Sequence, residues 1–191
     1  MKAVNVVDDY LNKNLFNEAS DIIKNIEWRL SNRSQKDHYG PMVCFWDGDI
    51  ESVHMYKMEN FLKQVLDKTE KTFNAKFLFN KIQVNGQTYG QDGLYHKDNL
   101  EDNHYTLVIY MTECKNKTLD ETGGFFEVVL EDTTINIKPK VNRAILFKSA
   151  LFHRGLAPEI KNGYFRVSIA IKLTMVKDEK YFVNNGKCGE I

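Results

Sequence analysis

The spacing of apolar residues changes once along this chain, close to Ala75. Before that point apolar residues recur every three or four positions, which is typical of amphipathic helices. After it, short apolar or alternating runs are separated by turn residues, a pattern that predicts β-strands. We predict eight strands, at Lys76–Val84, Gly93–Asp98, His104–Thr112, Gly124–Leu130, Thr133–Lys138, Arg143–Lys148, Phe152–Pro158 and Tyr164–Met175. Eight strands that follow helices favour a mainly β (α+β) fold, a double-stranded β-helix or jelly roll braced by the N-terminal helices.

Two helices are predicted in the N-terminal part of the chain, at Asn14–Leu30 and at about Ser52–Phe73. Their apolar faces hold Leu15, Ala19, Ile22, Ile23, Ile26 and Leu30 in the first helix and Met58, Phe61, Leu62, Val65 and Leu66 in the second. We expect both faces to be buried against one face of the sheet. Met1–Asp9 is predicted as a short strand or lead-in. The aromatic stretch Tyr39–Asp49 is predicted as a loop, which is either packed on the surface, the commoner case, or a lid.

A length of 191 residues suits a single domain. We divide it into a helical support region (1–75), a double-stranded β-helix core (76–175) and a C-terminal tail (176–191), which is charged and expected to lie over the surface or to fray. Turn residues bound several of the predicted strands. They are Asn85-Gly86, Gln91-Asp92-Gly93, Glu131-Asp132 and Asn162-Gly163, the last a strong hairpin signal.

Composition restricts the class of partner. Lysine plus arginine equals aspartate plus glutamate, at 26 each, so no overall field attracts a phosphate backbone and nucleic acid is disfavoured as a partner. Hydrophobic residues make up 42% and charged residues 27%, which argues against a membrane span. The N-terminus has no signal-peptide pattern. Cys44, Cys114 and Cys188 show no paired spacing, so we expect no disulfide framework and a cytoplasmic protein. The oligomeric state stays open, and a monomer is compatible with the sequence.

The triplet His96-Lys97-Asp98 combines a histidine and a carboxylate at strand spacing. In an extended segment the side chains of His96 and Asp98 point to the same face, while Lys97 points away. His153, which comes from a distant predicted strand, would complete a set of two histidines and one carboxylate. This set is expected of non-haem Fe(II) oxygenases, because it caps one face of an octahedron and leaves positions open.

Each of these residues also has an ordinary interpretation. A histidine beside an aspartate is commonly just solvated, and His153 follows two apolar residues, so it would also suit a buried histidine bonded to a backbone carbonyl. The other histidines, His38, His54 and His104, have no carboxylate two residues away. We expect these three to be surface or packing residues.

The order of the motifs is more specific than any one of them. His96-Lys97-Asp98 is followed by Gly123-Gly124 before a strand, then by His153, and then by Arg166-Val167-Ser168 inside an alternating strand. This order resembles the 2-oxoglutarate- and Fe(II)-dependent dioxygenases, and the prolyl 4-hydroxylase branch most closely. The resemblance covers about Lys81–Leu173. It implies an enzyme that uses Fe(II), 2-oxoglutarate and O2, with ascorbate as an optional reductant, and that releases succinate and CO2.

The resemblance also assigns a cosubstrate site. Arg166 and Ser168 share one face of the last strand, and a guanidinium inside a barrel needs an anion. In the family a basic residue here binds the distal carboxylate of 2-oxoglutarate, and arginine is the residue that the oxygen-sensing prolyl hydroxylases use. Tyr110 matches a tyrosine that helps to hold the same carboxylate. The alternatives are an outward salt bridge for Arg166 and a core aromatic for Tyr110.

The substrate is the least determined feature. The resemblance favours a prolyl residue in a peptide or protein, and Tyr89, Tyr95 and Trp46 could form aromatic walls for it, although each could equally be a packing residue. Within the same class, the alternative is a free amino acid, a small metabolite or a nucleobase. From another class, a cupin-like isomerase or a binding module without redox chemistry could use the same jelly roll. Halogenation is disfavoured because Asp98 fills a coordination position that halogenases of this fold leave to a small residue.

Overall fold

The computed structural model describes residues 2–33, 44–49, 55–112, 122–159 and 164–176. Two helices and ten strands lie in these ranges. In chain order they are β1 (Val4–Val7), α1 (Lys13–Asn25), β2 (Glu27–Arg33), β3 (Cys44–Asp49), α2 (Met55–Phe73), β4 (Lys76–Gln87), β5 (His104–Tyr110), β6 (Phe126–Leu130), β7 (Thr133–Ile137), β8 (Ala144–Lys148), β9 (His153–Gly155) and β10 (Arg166–Val176). Neither of these helices is long and apolar enough to cross a membrane.

The described strands form two sheets with antiparallel pairing. The larger sheet has the order β1-β8-β5-β10-β4-β3-β2, and the smaller has the order β7-β6-β9. Buried side chains from both sheets meet in one apolar cluster, made of Tyr110, Phe126, Val128, Ile137, Ile145 and Phe147. This arrangement confirms the predicted mainly β, double-stranded β-helix class. The sheet interior that opens beside this cluster is where the candidate site lies.

The two helices pack on the outer face of the larger sheet, as the sequence predicts. Their buried residues join one core cluster with residues of β4, β5, β8 and β10. On β10 the alternation is clear: Val167, Ile169, Ile171 and Leu173 belong to this helix-side core. Since neighbouring strand residues point to opposite faces, Arg166, Ser168, Ala170 and Lys172 face the other sheet. The last strand therefore carries an apolar face for stability and a polar face for the site.

Helix α1 is shorter than predicted. Its N-terminus is capped by Asn12, whose Oδ1 accepts a hydrogen bond of 2.9 Å from the amide of Leu15. The helix ends at Asn25 rather than Leu30, and Ile26 is already extended with φ −81° and ψ 150°. The residues that follow pair with β3, and Trp28 packs edge-on against Phe165 with 4.9 Å between ring centroids. The prediction was wrong here because strand pairing overrides a helical spacing that Ile26 and Leu30 happen to continue.

Strand β3 is a second correction. Residues 44–49 were predicted as part of a loop, but they pair with both β2 and β4. Residues 39–43 lie outside the described residues, as do the predicted Asn162-Gly163 turn, the start of the second predicted helix and the tail from residue 177 onward. The N-terminal third thus contributes three strands to the larger sheet besides its two helices.

The predicted Asn85-Gly86 turn is absent, because β4 runs on through both residues to Gln87. Gly86 is needed there for packing: a Cβ on it would lie 2.1 Å from an atom of the Phe165 ring. The Glu131-Asp132 turn is confirmed. It joins β6 to β7, and Glu131 adopts a positive φ of 53°.

The segment that carries His96 and Asp98 is not the regular strand that was predicted at 93–98. Among its described contacts it forms a single antiparallel bridge, between His96 and His153. Further backbone bonds hold its two ends, from the amide of Gly93 to the carbonyl of Gly155 and from the amide of Asp98 to the carbonyl of Ser149, both at 2.9 Å. The segment is therefore ordered by a few specific bonds at the edge of the smaller sheet.

Candidate metal centre and anion pocket

His96, Asp98 and His153 lie together at the open end of the sheet interior, as their motif predicts. One ligand atom from each residue falls within 4.8 Å of the other two. Nε2 of His96 is 3.6 Å from Oδ1 of Asp98, and Nε2 of His153 is 3.4 Å from Oδ2 of the same carboxylate. Two ligand atoms at right angles around one ion and about 2.1 Å from it lie about 3 Å apart. The three side chains therefore fit one transition-metal ion with a small inward adjustment.

The protonation of both imidazoles suits metal binding. Nδ1 of His96 lies 2.8 Å from the carbonyl oxygen of Leu94, and Nδ1 of His153 lies 2.9 Å from the carbonyl oxygen of Leu151. A carbonyl oxygen only accepts, so each Nδ1 carries the proton and each Nε2 offers its lone pair to the site. Such backbone bonds also fix the orientation of a metal-binding ring.

Asp98 is ionised and oriented by its neighbours. Its Oδ2 accepts a hydrogen bond of 2.6 Å from Thr106 and another from the ammonium of Lys172. Thr106 is itself 3.0 Å from the hydroxyl of Ser149. Burial opposes the charge on Asp98, but its contacts with His153 and His96 and the charge of Lys172 hold its pKa well below its usual range. With Oδ2 engaged in this way, Oδ1 remains for a metal.

Apolar rings line the other side of His153, which is only 5% exposed. Its ring centroid is 4.5 Å from that of Phe147 and 5.6 Å from that of Phe126. The two imidazoles are 4.4 Å apart. Water is therefore excluded from one side of the candidate metal position, while the side facing β4 and β10 stays polar.

Arg166 forms the second part of the site. It is 3% exposed, and its guanidinium donates hydrogen bonds to the carbonyl of Gly124 and to Oε1 of Gln87. Its Nε is buried without a hydrogen-bond partner, and in the described part of the chain no carboxylate is within ion-pair distance of it. Burial lowers the pKa of Arg166, although Tyr110 among other groups opposes this shift. A buried cation without a counter-charge is a site for an anion.

Two glycines leave room for the guanidinium. Gly124 has a positive φ of 70°, and a Cβ on it would lie 2.7 Å from Nη1 of Arg166. A Cβ on Gly155 would lie 3.3 Å from Nη2. The backbone at Gly124 can therefore approach Arg166 closely, and the Gly124 carbonyl accepts a hydrogen bond from the guanidinium.

Tyr110 and Ser168 lie beside Arg166, and the surroundings of these three residues are here called the anion pocket. They are direct partners in the pairing of β5 with β10, and the guanidinium carbon of Arg166 is 5.6 Å from the centroid of the Tyr110 ring. Burial raises the pKa of Tyr110, so its hydroxyl stays protonated and can donate to an anion. The cosubstrate residues predicted from the sequence thus lie on the same face of the larger sheet as Lys172, whose ammonium contacts the candidate ligand Asp98.

The three aromatic residues proposed for the substrate belong to different parts of the fold. Tyr89 is 47% exposed in the connection after β4. Tyr95 bonds to Glu127 on the face of the smaller sheet opposite His96. Trp46 lies on β3, where its backbone pairs with Gly86.

Other residues were missed or set aside by the sequence analysis. Thr106, Lys172 and Gln87 surround the candidate ligands and Arg166, and the alternation that places Arg166 and Ser168 on one face would also have placed Lys172 there. Of the histidines set aside, His104 is 3.1 Å from the hydroxyl of Thr174 and 3.2 Å from Glu101. The other two, His38 and His54, lie outside the described residues.

Comparison with known proteins gives one family and several similar structures. The family model described as the 2OG-Fe(II) oxygenase superfamily matches residues 79–172, which contain the candidate ligands and Arg166. The chain is similar to a prolyl hydroxylase of Trichoplax adhaerens, solved in complex with a hypoxia inducible factor oxygen degradation domain peptide fragment (TM-score 0.63, 14% identity, 90% of this chain and 83% of that one). It is also similar to a Pseudomonas putida prolyl-4-hydroxylase (TM-score 0.60, 14% identity, 90% and 92%).

A third similar structure has a different activity. It is SnoN, a non-heme alpha ketoglutarate dependent epimerase from nogalamycin biosynthesis (TM-score 0.64, 10% identity, 90% of this chain and 77% of that one). A comparison with curated protein sequences gives no match. At these identities the likeness to solved structures shows the fold alone.

Proposed function

We propose that this chain, which belongs to the 2OG-Fe(II) oxygenase superfamily, hydroxylates a prolyl residue in a peptide or protein. Membership establishes the broader statement: the protein is a dioxygenase that uses Fe(II) and 2-oxoglutarate. The observation that carries the oxygenase chemistry is that two features face each other between the sheets, a cluster of two histidines and a carboxylate and a buried arginine without a counter-ion.

In this proposal His96 and His153 bind Fe(II) through Nε2, and Asp98 binds it through Oδ1. Arg166 holds the distal carboxylate of 2-oxoglutarate, with Tyr110 and Ser168 beside it. When bound, the metal and cosubstrate supply an oxidation that consumes O2, converts 2-oxoglutarate to succinate and CO2, and hydroxylates a C–H bond of the substrate.

The protein's own residues prepare the site for that chemistry. Thr106 and Lys172 hold Oδ2 of Asp98, which favours a carboxylate bound through one oxygen and leaves more coordination positions open. Phe126 and Phe147 keep water from one side of His153. The buried Arg166 offers its unpaired Nε to an anion in surroundings of low dielectric constant, where a charge-assisted bond is strong.

The prolyl substrate is supported by two kinds of observation. Two of the similar structures are prolyl hydroxylases, one of them solved with a peptide fragment. In addition, the connection after Asp98 carries Glu101 and Asp102, and no cluster of basic residues adjoins the His-x-Asp triplet in the sequence, so a phosphate backbone would meet carboxylates near the metal. A proline-containing segment is extended and loses little entropy on binding.

The test is incubation of the purified protein with Fe(II), 2-oxoglutarate and a library of proline-containing peptides, followed by mass spectrometry. The expected result is the addition of one oxygen atom to proline, dependent on both cofactors and absent in the matched variant Asp98→Ala. Free amino acids, small metabolites and methylated single-stranded DNA are tested in parallel by succinate formation.

The similarity to SnoN favours a small metabolite as the second candidate substrate. If the peptides stay unmodified while a free amino acid, a metabolite or a nucleobase drives succinate formation, the oxygenase assignment stands and the prolyl substrate is wrong. If no substrate or cosubstrate combination yields succinate, the assignment of this chain as an active oxygenase is contradicted.

A further inference from the structure

The smaller sheet carries a polar cluster on the face that points away from the candidate metal. Glu127 and Arg154 are direct partners in the pairing of β6 with β9, and Nε of Arg154 donates a hydrogen bond of 2.6 Å to Oε2 of Glu127. The hydroxyl of Tyr95 donates to the same oxygen at 2.8 Å. The guanidinium carbon of Arg154 also lies 4.4 Å from the centroid of the Tyr95 ring, a cation–π contact.

The position of this cluster in the chain links it to the two histidines. Tyr95 directly precedes His96, and Arg154 directly follows His153. Because neighbouring residues of an extended chain point to opposite faces, the histidines point into the site while Tyr95 and Arg154 point out. One carboxylate, that of Glu127, therefore connects the two chain segments that supply the imidazole ligands.

The His96 segment is attached at only a few described points, namely the bridge at His96 and the backbone bonds of Gly93 and Asp98 at its ends. His96 and His153 exchange two backbone hydrogen bonds, each 3.0 Å long, and no regular strand continues from this bridge among the described residues. So few ladder bonds fix the register of the segment and the direction of its histidine less firmly than a regular strand would. A partly buried ion pair reinforced by a tyrosine hydroxyl adds a second, directional point of attachment directly behind the ligands.

We propose that Tyr95, Glu127 and Arg154, here called the outer clamp, are positioning residues that hold His96 against His153 and thereby set the metal affinity of the site. The proposal rests on the assignment of His96, Asp98 and His153 as metal ligands. It gives Tyr95 a role other than a substrate wall, and it gives Glu127 and Arg154 a role that no motif in the sequence indicates.

The outer clamp is tested with Tyr95→Phe and Glu127→Gln. Tyr95→Phe keeps the ring under the guanidinium and removes one hydrogen bond, so it is the variant expected to fold without difficulty. Glu127→Gln keeps the shape and removes the charge. The matched control is Arg143→Met, which breaks an ion pair of the same length, 2.6 Å to Asp8, in the turn before β8, and neither this turn nor β8 carries a candidate ligand.

Two measurements separate positioning from general stability. In anaerobic calorimetry with Fe(II) or Mn(II), Glu127→Gln should weaken metal binding by up to about tenfold, the lower end of the effect of losing a direct partner of a ligand, because Glu127 bonds to the neighbours of the histidines. Tyr95→Phe should weaken it less, and Arg143→Met should leave it unchanged. In hydrogen exchange of the metal-free protein, the amides of His96 and His153 should lose protection in both clamp variants and keep it in the control.

The outcomes are distinguishable from a failure of the proposed function. If the wild-type protein binds the metal and both clamp variants bind it equally well with normal protection at His96, the clamp proposal is overturned and the metal site stands. If the wild-type protein binds no metal, the proposed metal site is overturned, and with it the claim about affinity. A loss of affinity equal in Arg143→Met and Glu127→Gln would assign the effect to stability alone and also overturn the proposal.

Discussion

The ammonium of Lys172 donates a hydrogen bond to Oδ2 of Asp98, from the same strand face that carries Arg166. Strand β10 therefore supplies both cations of the site: one beside the candidate metal ligand and one in the anion pocket. Burial lowers the pKa of Lys172 below its usual value, and the charge and hydrogen bond of Asp98 offset only part of that shift. Without a metal, Lys172 offsets the charge that Asp98 would otherwise carry alone in a buried place.

Thr106 should control metal affinity through its hydrogen bond to Asp98. Thr106→Val removes the hydroxyl that lies 2.6 Å from Oδ2 and leaves the shape of the side chain nearly unchanged. We expect metal binding to weaken by about tenfold or more. Thr106→Ser keeps the hydroxyl and should bind close to wild type. Calorimetry with Mn(II) measures the affinity of both variants. If Thr106→Val binds Mn(II) as tightly as the wild type, this hydrogen bond does not control metal affinity.

Arg166 should control the binding of 2-oxoglutarate and not of the metal. A charge-assisted hydrogen bond contributes ~1.5–3 kcal/mol. Arg166→Met should therefore weaken the binding of 2-oxoglutarate by roughly 10- to 150-fold if one bond is lost, and by more if two are lost. The measurement is the rise of the melting temperature with 2-oxoglutarate concentration at saturating Mn(II). Arg143→Met serves as the control for loss of an arginine. An unchanged titration in Arg166→Met would show that the anion binds elsewhere.

Gly86 should resist even the smallest substitution. A Cβ at this position would meet the Phe165 ring, which packs against Trp28 on the helix side of the sheet. Gly86→Ala should therefore lower the free energy of unfolding by about 1–3 kcal/mol, measured by urea denaturation. Phe165→Leu should recover part of that loss in the double variant. If Gly86→Ala alone is as stable as the wild type, the ring does not occupy this space.

Protonation of Asp8 should lower the stability of the protein at acidic pH. Hydrogen bonds from Arg143 and Lys140 and their charges outweigh burial and hold the pKa of Asp8 at about 2, below the ordinary value of 3.8. A carboxyl with a lowered pKa stabilises the fold above its unfolded pKa and loses this contribution as pH falls through its folded pKa. The Asp8 side chain is 38% exposed, so solvent screening keeps the effect to about 1 kcal/mol or less.

The measurement is urea denaturation of wild type and Asp8→Asn at pH 6 and again near pH 2. The wild type should be the more stable at pH 6, and the difference should largely disappear near pH 2. A difference that stays the same at both pH values would mean that the charge of Asp8 is not what stabilises this contact.

The alternation of apolar residues was enough to predict the class of fold, the two helices and the face on which Arg166 and Ser168 lie. It failed where tertiary pairing decides. Ile26 and Leu30 continue the spacing of α1, yet the chain leaves the helix at Ile26 because residues 27–33 pair with β3. The dipeptide Asn85-Gly86 is typical of a turn, but Gly86 lies inside β4, where the absence of a side chain leaves room for the Phe165 ring.

The candidate site was predictable to the extent that its residues share short motifs. His96 and Asp98 are two residues apart, and the structure brings His153 to them through the bridge at His96. Thr106 and Glu127 could not be predicted, because their roles depend on which strands are neighbours. The direction of the Tyr95 side chain could have been predicted, since the alternation that directs Lys97 away from the ligands directs Tyr95 away as well.

We propose that His96, Asp98 and His153 bind Fe(II) together with 2-oxoglutarate held by Arg166. Anaerobic addition of Fe(II) and 2-oxoglutarate to the purified protein tests this most directly, because such a complex gives a weak visible metal-to-ligand charge-transfer band. We expect the band in the wild type and its loss in His96→Ala, Asp98→Ala and His153→Ala, each with an unchanged circular dichroism spectrum. If the wild type lacks the band, or if a folded ligand variant keeps it at full strength, these three residues do not bind Fe(II) as proposed.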